Sequence, residues 1–165
     1  MAGMDRLQCC NAIKALFEAD TSVLYGSTKL INYITTDIVK FENAKLGVDQ
    51  PYKMFLKAPR REKVDVRMSG NVDYNIYVEY RIEGLKANPQ TSYTNIDDID
   101  ERIEHLCDNE MWEGNNLSSY FTNAEVTIIN IEWEGSNADV KKDEGGWKVE
   151  SEGTIRVEIN RVKTV

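Results

Sequence analysis

The stretch VDYNIYVEYRIEG, residues 72–84, constrains the fold more than any other part of this sequence. Apolar and polar side chains alternate through it without a break. Because successive side chains of a strand point to opposite faces, the alternation predicts a long strand with one buried face and one wet face. Tyr77 is an aromatic residue on the polar face, which makes it a candidate for a subunit contact. The apolar positions are Val72, Tyr74, Ile76, Val78, Tyr80 and Ile82.

Several other segments carry weaker signals. MDRLQCCNAIKALFEAD, residues 4–20, has apolar residues at three- and four-residue spacing and predicts an amphipathic helix. PYKMFLKAP predicts a short strand over 52–57, ended by Pro59, which cannot donate a backbone hydrogen bond. EVTIINIEW (125–133) and GTIRVEINR (153–161) predict two more strands, with a polar turn region between them. Residues 21–46 give mixed signals and fit a helix or a loop.

The acidic stretch NIDDIDERIEHLCDNEMW, residues 95–112, predicts a second helix. Its apolar stripe is Ile96, Ile99, Ile103 and Leu106. Thr94 or Asn95 is expected to cap this helix, with Asp97, Asp98 and Asp100 in its first turn. Carboxylates at that position complement the helix dipole, so most of the acid has a structural explanation.

These elements predict an α+β fold: a mostly antiparallel four- to five-stranded sheet with the N-terminal helix and a second helix (about 96–112) packed on one face. The 165 residues fit a single domain, 1–165. No run of eighteen apolar residues and no signal-peptide pattern occurs, so we expect a protein made in the cytoplasm without a membrane segment. Cys9, Cys10 and Cys107 are expected to be buried, reduced thiols.

The residues do not predict a catalytic, cofactor or metal site, and we expect a protein that is not an enzyme. His105 is the only histidine, whereas helical zinc motifs need two. Trp112, Trp133 and Trp147 could form a sugar or base platform, but such aromatics lie more often in cores and interfaces.

Charge is divided unevenly along the chain. Residues 1–83 hold 12 basic and 11 acidic residues, and residues 84–165 hold 8 basic and 17 acidic residues. An acidic second half disfavours tight nucleic-acid binding, because phosphate contacts need Lys and Arg. The local basic cluster is expected on a loop. It consists of Lys57, Arg60, Arg61 and Lys63.

This basic loop has two interpretations. It is either an ordinary solvated loop or a contact arm for acidic surface on an identical subunit. The second interpretation points to the hairpin at 134–152, with Glu134, Asp139, Asp143 and Glu144 as partners. A contact between different patches on identical chains is heterologous, and it closes into a ring when the rotation permits.

The order of these elements resembles the tail terminator proteins of tailed bacteriophages, also called tail completion proteins. The resemblance rests on QPYKMFLKAP, NVDYNIYVEYRIEG, IDDIDERIEHL, AEVTIINIEWEG and GTIRVEINR in that order, and it spans nearly the whole chain.

The resemblance implies a structural subunit of the virion, without cofactors, at the head–tail junction. Such subunits form a homo-oligomeric ring, usually a hexamer, that caps the tail tube and stops its polymerisation. The implied partners are the tail tube protein and a neck or head-completion protein, and DNA passes through the lumen without specific binding. Two alternatives stay open: another head–tail connector or neck subunit, or a small ligand-binding or enzymatic α+β domain.

Overall fold

The computed structural model describes residues 5–68, 70–108, 112–121 and 125–162. Two short 3₁₀ helices, Glu113–Asn115 and Leu117–Tyr120, precede the last two strands. The helices and strands, in chain order, are α1 (Asp5–Glu18), β1 (Ile31–Thr35), α2 (Ile38–Asn43), β2 (Tyr52–Val66), β3 (Val72–Lys86), α3 (Pro89–Cys107), β4 (Val126–Asp143) and β5 (Gly146–Arg161).

The five strands form one mixed sheet in the order β1-β2-β3-β5-β4. β1 runs parallel to β2, and every other neighbouring pair is antiparallel. The predicted α+β fold is therefore confirmed. β3 lies in the middle of the sheet, which is where a strand with a fully apolar face is expected.

The two faces of the sheet differ sharply. Ile76, Val78, Tyr80 and Ile82 of β3 pack into the main core together with α1 and α3, as the alternation predicts. We call this the helix face and the other the open face. α2 packs on the open face at one corner, where its Phe41 ring lies 5.8 Å from the ring of Phe55 on β2. α1 and α3, the two predicted helices, lie on one face as expected, and α2 falls within residues 21–46, where a helix or a loop was expected.

β2 is much longer than the predicted strand 52–57. It continues through Pro59 to Val66, so the basic cluster lies on a strand and not on a loop. Pro59 is tolerated because the β2–β3 register shifts between Lys57 and Arg60, and a bulge there needs no donor from the proline. β4 and β5 likewise extend through the predicted polar turn region and leave only Glu144 and Gly145 between them.

α3 begins earlier than predicted. Asn88 caps it, with its side-chain oxygen accepting a hydrogen bond from the backbone N–H of Gln90 at 2.8 Å. Pro89 follows at the first helical position, which its fixed φ angle suits. Asp97, Asp98 and Asp100 therefore lie in the middle of the helix and not in its first turn. The helix ends at Cys107, and the part of the predicted element at 109–111 lies outside the described residues.

Tyrosine rings fill the space left by two glycines of the sheet. Tyr80 of β3 pairs with Gly153 of β5, and the Tyr80 ring occupies the position that a Cβ of residue 153 would need. Tyr52 does the same at Gly84. Both rings are fully buried, so they have no room to move aside.

We expect Gly153→Ala to lower the free energy of unfolding by about 1–3 kcal/mol or more, because the added methyl overlaps the Tyr80 ring. Urea denaturation followed by circular dichroism measures the change. Gly114→Ala is the matched control, since a Cβ there meets nothing within 4 Å. Equal stability of the two variants would contradict the packing described here.

Candidate functional site

The basic segment of β2 presents its side chains to both faces of the sheet. On the open face, the Arg60 guanidinium lies 4.7 Å from the ring centre of Tyr77 and 2.5 Å from the carboxylate of Glu62. Lys57, on the same face, lies 3.5 Å from Glu79. Arg60 and Tyr77, two of the predicted interface residues, are therefore brought together, and Lys57 remains exposed on the same face. Lys63 is also exposed, but its register partner is Tyr74, on the helix face.

Arg61 points to the helix face and has a structural role. Its guanidinium lies 3.2 Å from the carboxylate of Asp5, and Arg161 of β5 reaches the same oxygen at 3.0 Å. Asp5 is 1% exposed and is the first residue of α1. The two arginines thus neutralise a buried carboxylate and tie the start of α1 to β2 and β5.

Of the predicted acidic partners, Glu134 contacts Arg156 of its own chain at 3.1 Å, and the other three lie at the other end of the molecule. Asp139, Asp143 and Glu144 are exposed near the β4–β5 turn, and Asp139 forms an ion pair with Lys141 at 3.1 Å. The register places Asp139 opposite Glu150, several rows away from the basic segment. Within one chain the basic segment and these three acidic residues do not meet.

The open face is acidic across its three last strands. Its side chains there include nine carboxylates and four basic groups. The acidic residues are Asp73, Glu79, Glu83, Glu132, Asp139, Asp143, Glu150, Glu152 and Glu158, and the basic residues are Arg81, Lys141, Lys148 and Arg156. Arg156 alone contacts Glu132, Glu134 and Glu158. Because the carboxylates outnumber the basic groups, this part of the open face carries a net negative charge and repels other anions.

An open cleft of about 980 Å³ lies between α3, the segment 22–30 and the start of β2. The polar face of α3 lines one wall with Asp98, Glu101 and His105. Lys86 lies at its floor, where its ammonium donates to the carbonyl of Gln50 and sits 4.6 Å from the ring centre of Tyr52. Burial lowers the pKa of Lys86. The polar side of the acidic stretch therefore faces a concave surface.

Asp20, which contacts α3, and Asp100, which belongs to α3, have pKa values shifted in opposite directions. Arg102 donates two hydrogen bonds of 2.8 Å to Asp20, and these lower the pKa of Asp20. Asp100 accepts hydrogen bonds from the hydroxyls of Tyr80 and Ser136, but its burial dominates and raises its pKa. The Tyr80 hydroxyl also accepts a hydrogen bond from the indole N–H of Trp133 at 2.7 Å.

Sequence reasoning missed these buried polar groups. For Asp100 a signal was available, because it follows Ile96 by four residues and precedes Ile103 by three, which places it on the apolar stripe of the helix. For Asp5 and Lys86 no local signal exists. Their partners are 56 and 36 residues away along the chain.

The three cysteines are free and buried, as expected, and burial raises the pKa of each thiol. Among the described residues, no group of three or more His, Cys, Asp or Glu side chains has a geometry suited to a metal ion. None of the described helices has the length and apolar content needed to span a bilayer.

No protein-family model matches the sequence, and no curated protein matches it. One similar chain belongs to a solved structure described as "Virion of native gene transfer agent (GTA) particle". The TM-score is 0.42 and the sequence identity 10%, with 96% of each chain covered. A likeness at this level supports no conclusion about family or function.

The two aspartates predict opposite pH dependences. The stability that Asp20 contributes is complete above its usual pKa of about 3.9, and it is lost as pH falls through the lowered folded-state pKa. The contribution of Asp100 is complete below about pH 3.9, and it is lost as pH rises through the raised folded-state pKa.

We therefore expect the stability difference between wild type and Asp20→Asn to shrink on acidification, and that between wild type and Asp100→Asn to grow. Urea unfolding at a series of pH values from about 3 to 7 measures both differences. Each variant serves as the control of the other. If both stability differences changed with pH in the same direction, the ion-paired environment of Asp20 or the buried environment of Asp100 would be incorrectly assigned.

Proposed function

We propose that this chain is the structural subunit of a tail terminator ring of a phage-like particle. Identical subunits contact one another head to tail, and the ring caps the end of the tail tube and joins it to the neck of the head. The proposed partners are other copies of the chain, the tail tube protein and a neck or head-completion protein. The protein has no catalytic role in this proposal, and its place is the head–tail junction of the virion.

The observation that carries the proposal is the contrast between the two faces of one sheet. The helix face is packed under α1 and α3, whereas the open face is acidic over three strands and, in the described part of the chain, is covered by α2 only at one corner. A broad face of this kind is suited to line an aqueous passage. Like charge prevents capture of DNA phosphates, so DNA slides past such a wall.

The element order supports the same proposal. The N-terminal helix, the long alternating strand, the helix with the Ile-rich stripe and the closing hairpin occur in the order of the tail terminator proteins. Another connector or neck subunit with this layout is compatible with the same features. The two are separated by the tail phenotype, because loss of a terminator gives tube ends that continue to grow.

A second candidate function comes from the cleft beside α3. Its volume and the buried ammonium of Lys86 favour a small-ligand site in a monomeric protein. Native mass spectrometry distinguishes the two functions. A closed ring of identical chains supports the terminator, and a monomer at all concentrations supports the ligand-binding domain.

We expect the double variant Arg60→Glu and Lys63→Glu to remain folded and to assemble roughly tenfold less well or worse than wild type, since each reversal replaces an attraction by a repulsion at every subunit contact. Arg61 is left intact because it neutralises the buried Asp5. Light scattering over a protein dilution series measures assembly, and thermal unfolding checks the fold.

Lys29→Glu with Lys45→Glu is the matched control. It changes the net charge by the same amount at exposed positions outside the basic segment. The proposal requires the control to assemble as wild type does. If both double variants assemble equally well, at low and at high salt, the basic segment is not part of the subunit contact.

A further inference from the structure

The strand directions of this sheet allow a second copy to extend it by antiparallel pairing. β2, β3, β5 and β4 are neighbours in space, and each pair is antiparallel. With four alternating strands, β2 and β4 run in opposite directions. A copy related by rotation about an axis along the strands therefore brings its β2 antiparallel to the β4 of its neighbour.

In the part of the chain that the structure describes, both strands have a stretch of outer edge without a partner strand, and the two stretches overlap in level. β1 pairs only with the start of β2, from Tyr52 to Phe55. Beyond Pro59, whose carbonyl accepts a hydrogen bond from Arg6, no described strand lies along β2. β4 is the last strand of the described sheet, and the 3₁₀ helix touches it at Ile128 through Ser118. Among the described residues, the outer edge of β2 is open from Arg60 to Val66 and that of β4 from Ile129 onward. Because the two strands run in opposite directions, these open stretches lie at the same level over residues 60–63 and 129–132.

The side chains on the two edges are complementary. Arg60, Tyr77, Arg156 and Glu132 lie in one row across the four strands. In a continued sheet, Glu132 of one copy lies next to Arg60 of the next copy on the open face. Both side chains are exposed, Arg60 at 64% and Glu132 at 48%, and each has an ion pair within its own chain, Arg60 with Glu62 and Glu132 with Arg156. The contact between copies would join these two ion pairs into one network.

Exposed apolar side chains mark the same two edges. Val64 of β2 and Ile129 of β4 lie at bulges, where neither has a Cα partner on the neighbouring strand of its own sheet. They are 56% and 40% exposed, and Val66 on the same edge of β2 is 52% exposed. Open edges that carry apolar residues are templates for pairing with another chain.

We propose that the outer edge of β2, residues 60–63, pairs antiparallel with the outer edge of β4, residues 129–132, of a second copy, with Val64 and Ile129 at one end of the paired stretch. This inference deepens the proposed ring, on which it rests, by naming the contact. In this arrangement Glu132, rather than Asp139, Asp143 or Glu144 near the turn, faces the basic strand of the neighbour. The charge contact and the backbone ladder then reinforce each other.

Lysine placed on an open edge blocks pairing, because the charge cannot be buried against a second strand. We expect Val64→Lys and Ile129→Lys each to be monomeric at concentrations where wild type is a ring, as measured by native mass spectrometry. Each variant keeps one intact edge, so an equal mixture of the two should form a dimer that cannot grow further. Val39→Lys, on the exposed side of α2, is the control that should assemble normally.

Cysteine cross-linking tests the register independently. In one chain, residues 60 and 132 are separated by two strands, roughly 14 Å, which no disulfide can bridge. Arg60→Cys with Glu132→Cys should therefore form covalent oligomers under mild oxidation, whereas Arg60→Cys with Asp139→Cys should not. The native cysteines are buried and do not interfere.

The outcomes of these experiments distinguish a failure of the edge contact from a failure of the proposed ring. A wild-type ring that persists in both lysine variants, without cross-linking through 60 and 132, overturns the edge pairing and leaves the terminator ring standing on other surfaces. A wild-type protein that stays monomeric at all concentrations overturns both. Monomeric lysine variants, a dimeric mixture and the cross-link together establish the contact.

Discussion

The position of Tyr80 is the constraint on which the rest of the structure depends. Its ring occupies the space above Gly153 on the neighbouring strand, and its hydroxyl donates to Asp100 of α3 and accepts from Trp133 of β4. One side chain of β3 thus contacts β5, β4 and α3. Burial without these partners would be costly, because a buried hydroxyl or carboxyl needs hydrogen bonds. The network is satisfied in full, and it fixes how α3 lies on the sheet.

A second set of buried polar contacts holds α1, the segment that follows it and α2 in place. Arg61 and Arg161 hold Asp5 at the start of α1, and Arg102 holds Asp20 in the segment after α1. On the other face, Lys53 donates to the last carbonyls of α2. A buried ion pair is weak evidence for net stability, but removal of one partner is strongly destabilising. These pairs therefore specify position more than they add stability.

The separation of roles between the two faces explains how one sheet can serve both folding and assembly. The helix face uses the apolar half of each strand for the core. The open face leaves the charged half of β3, β4 and β5 in water, with the carboxylates in excess. The open strand edges join the two faces. A neighbouring copy that pairs with such an edge would therefore extend both the helix face and the open face. This geometry links the proposed passage for DNA to the proposed contact between copies.

The sequence by itself determined the elements whose signal is local. The alternation at 72–82 predicted β3 and its buried face, and the stripe Ile96, Ile99, Ile103 and Leu106 predicted the core side of α3. The start of α3 was misplaced because Asn88 and Pro89 can open either a loop or a helix. β2 was shortened at Pro59 because a bulge is decided by the partner strand and leaves no mark in the strand itself.

Only the tertiary structure decided the rest. Arg60 and Arg61 are adjacent in the chain and looked equivalent, yet the fold sends one to the open face and the other to Asp5 on the helix face. The cleft at Lys86 and the row from Arg60 to Glu132 depend on residues brought together from distant strands. Local pattern sets which face of an element is buried, because periodicity is a property of neighbouring residues. Which charges meet is set by strand order and register, which no short stretch of sequence contains.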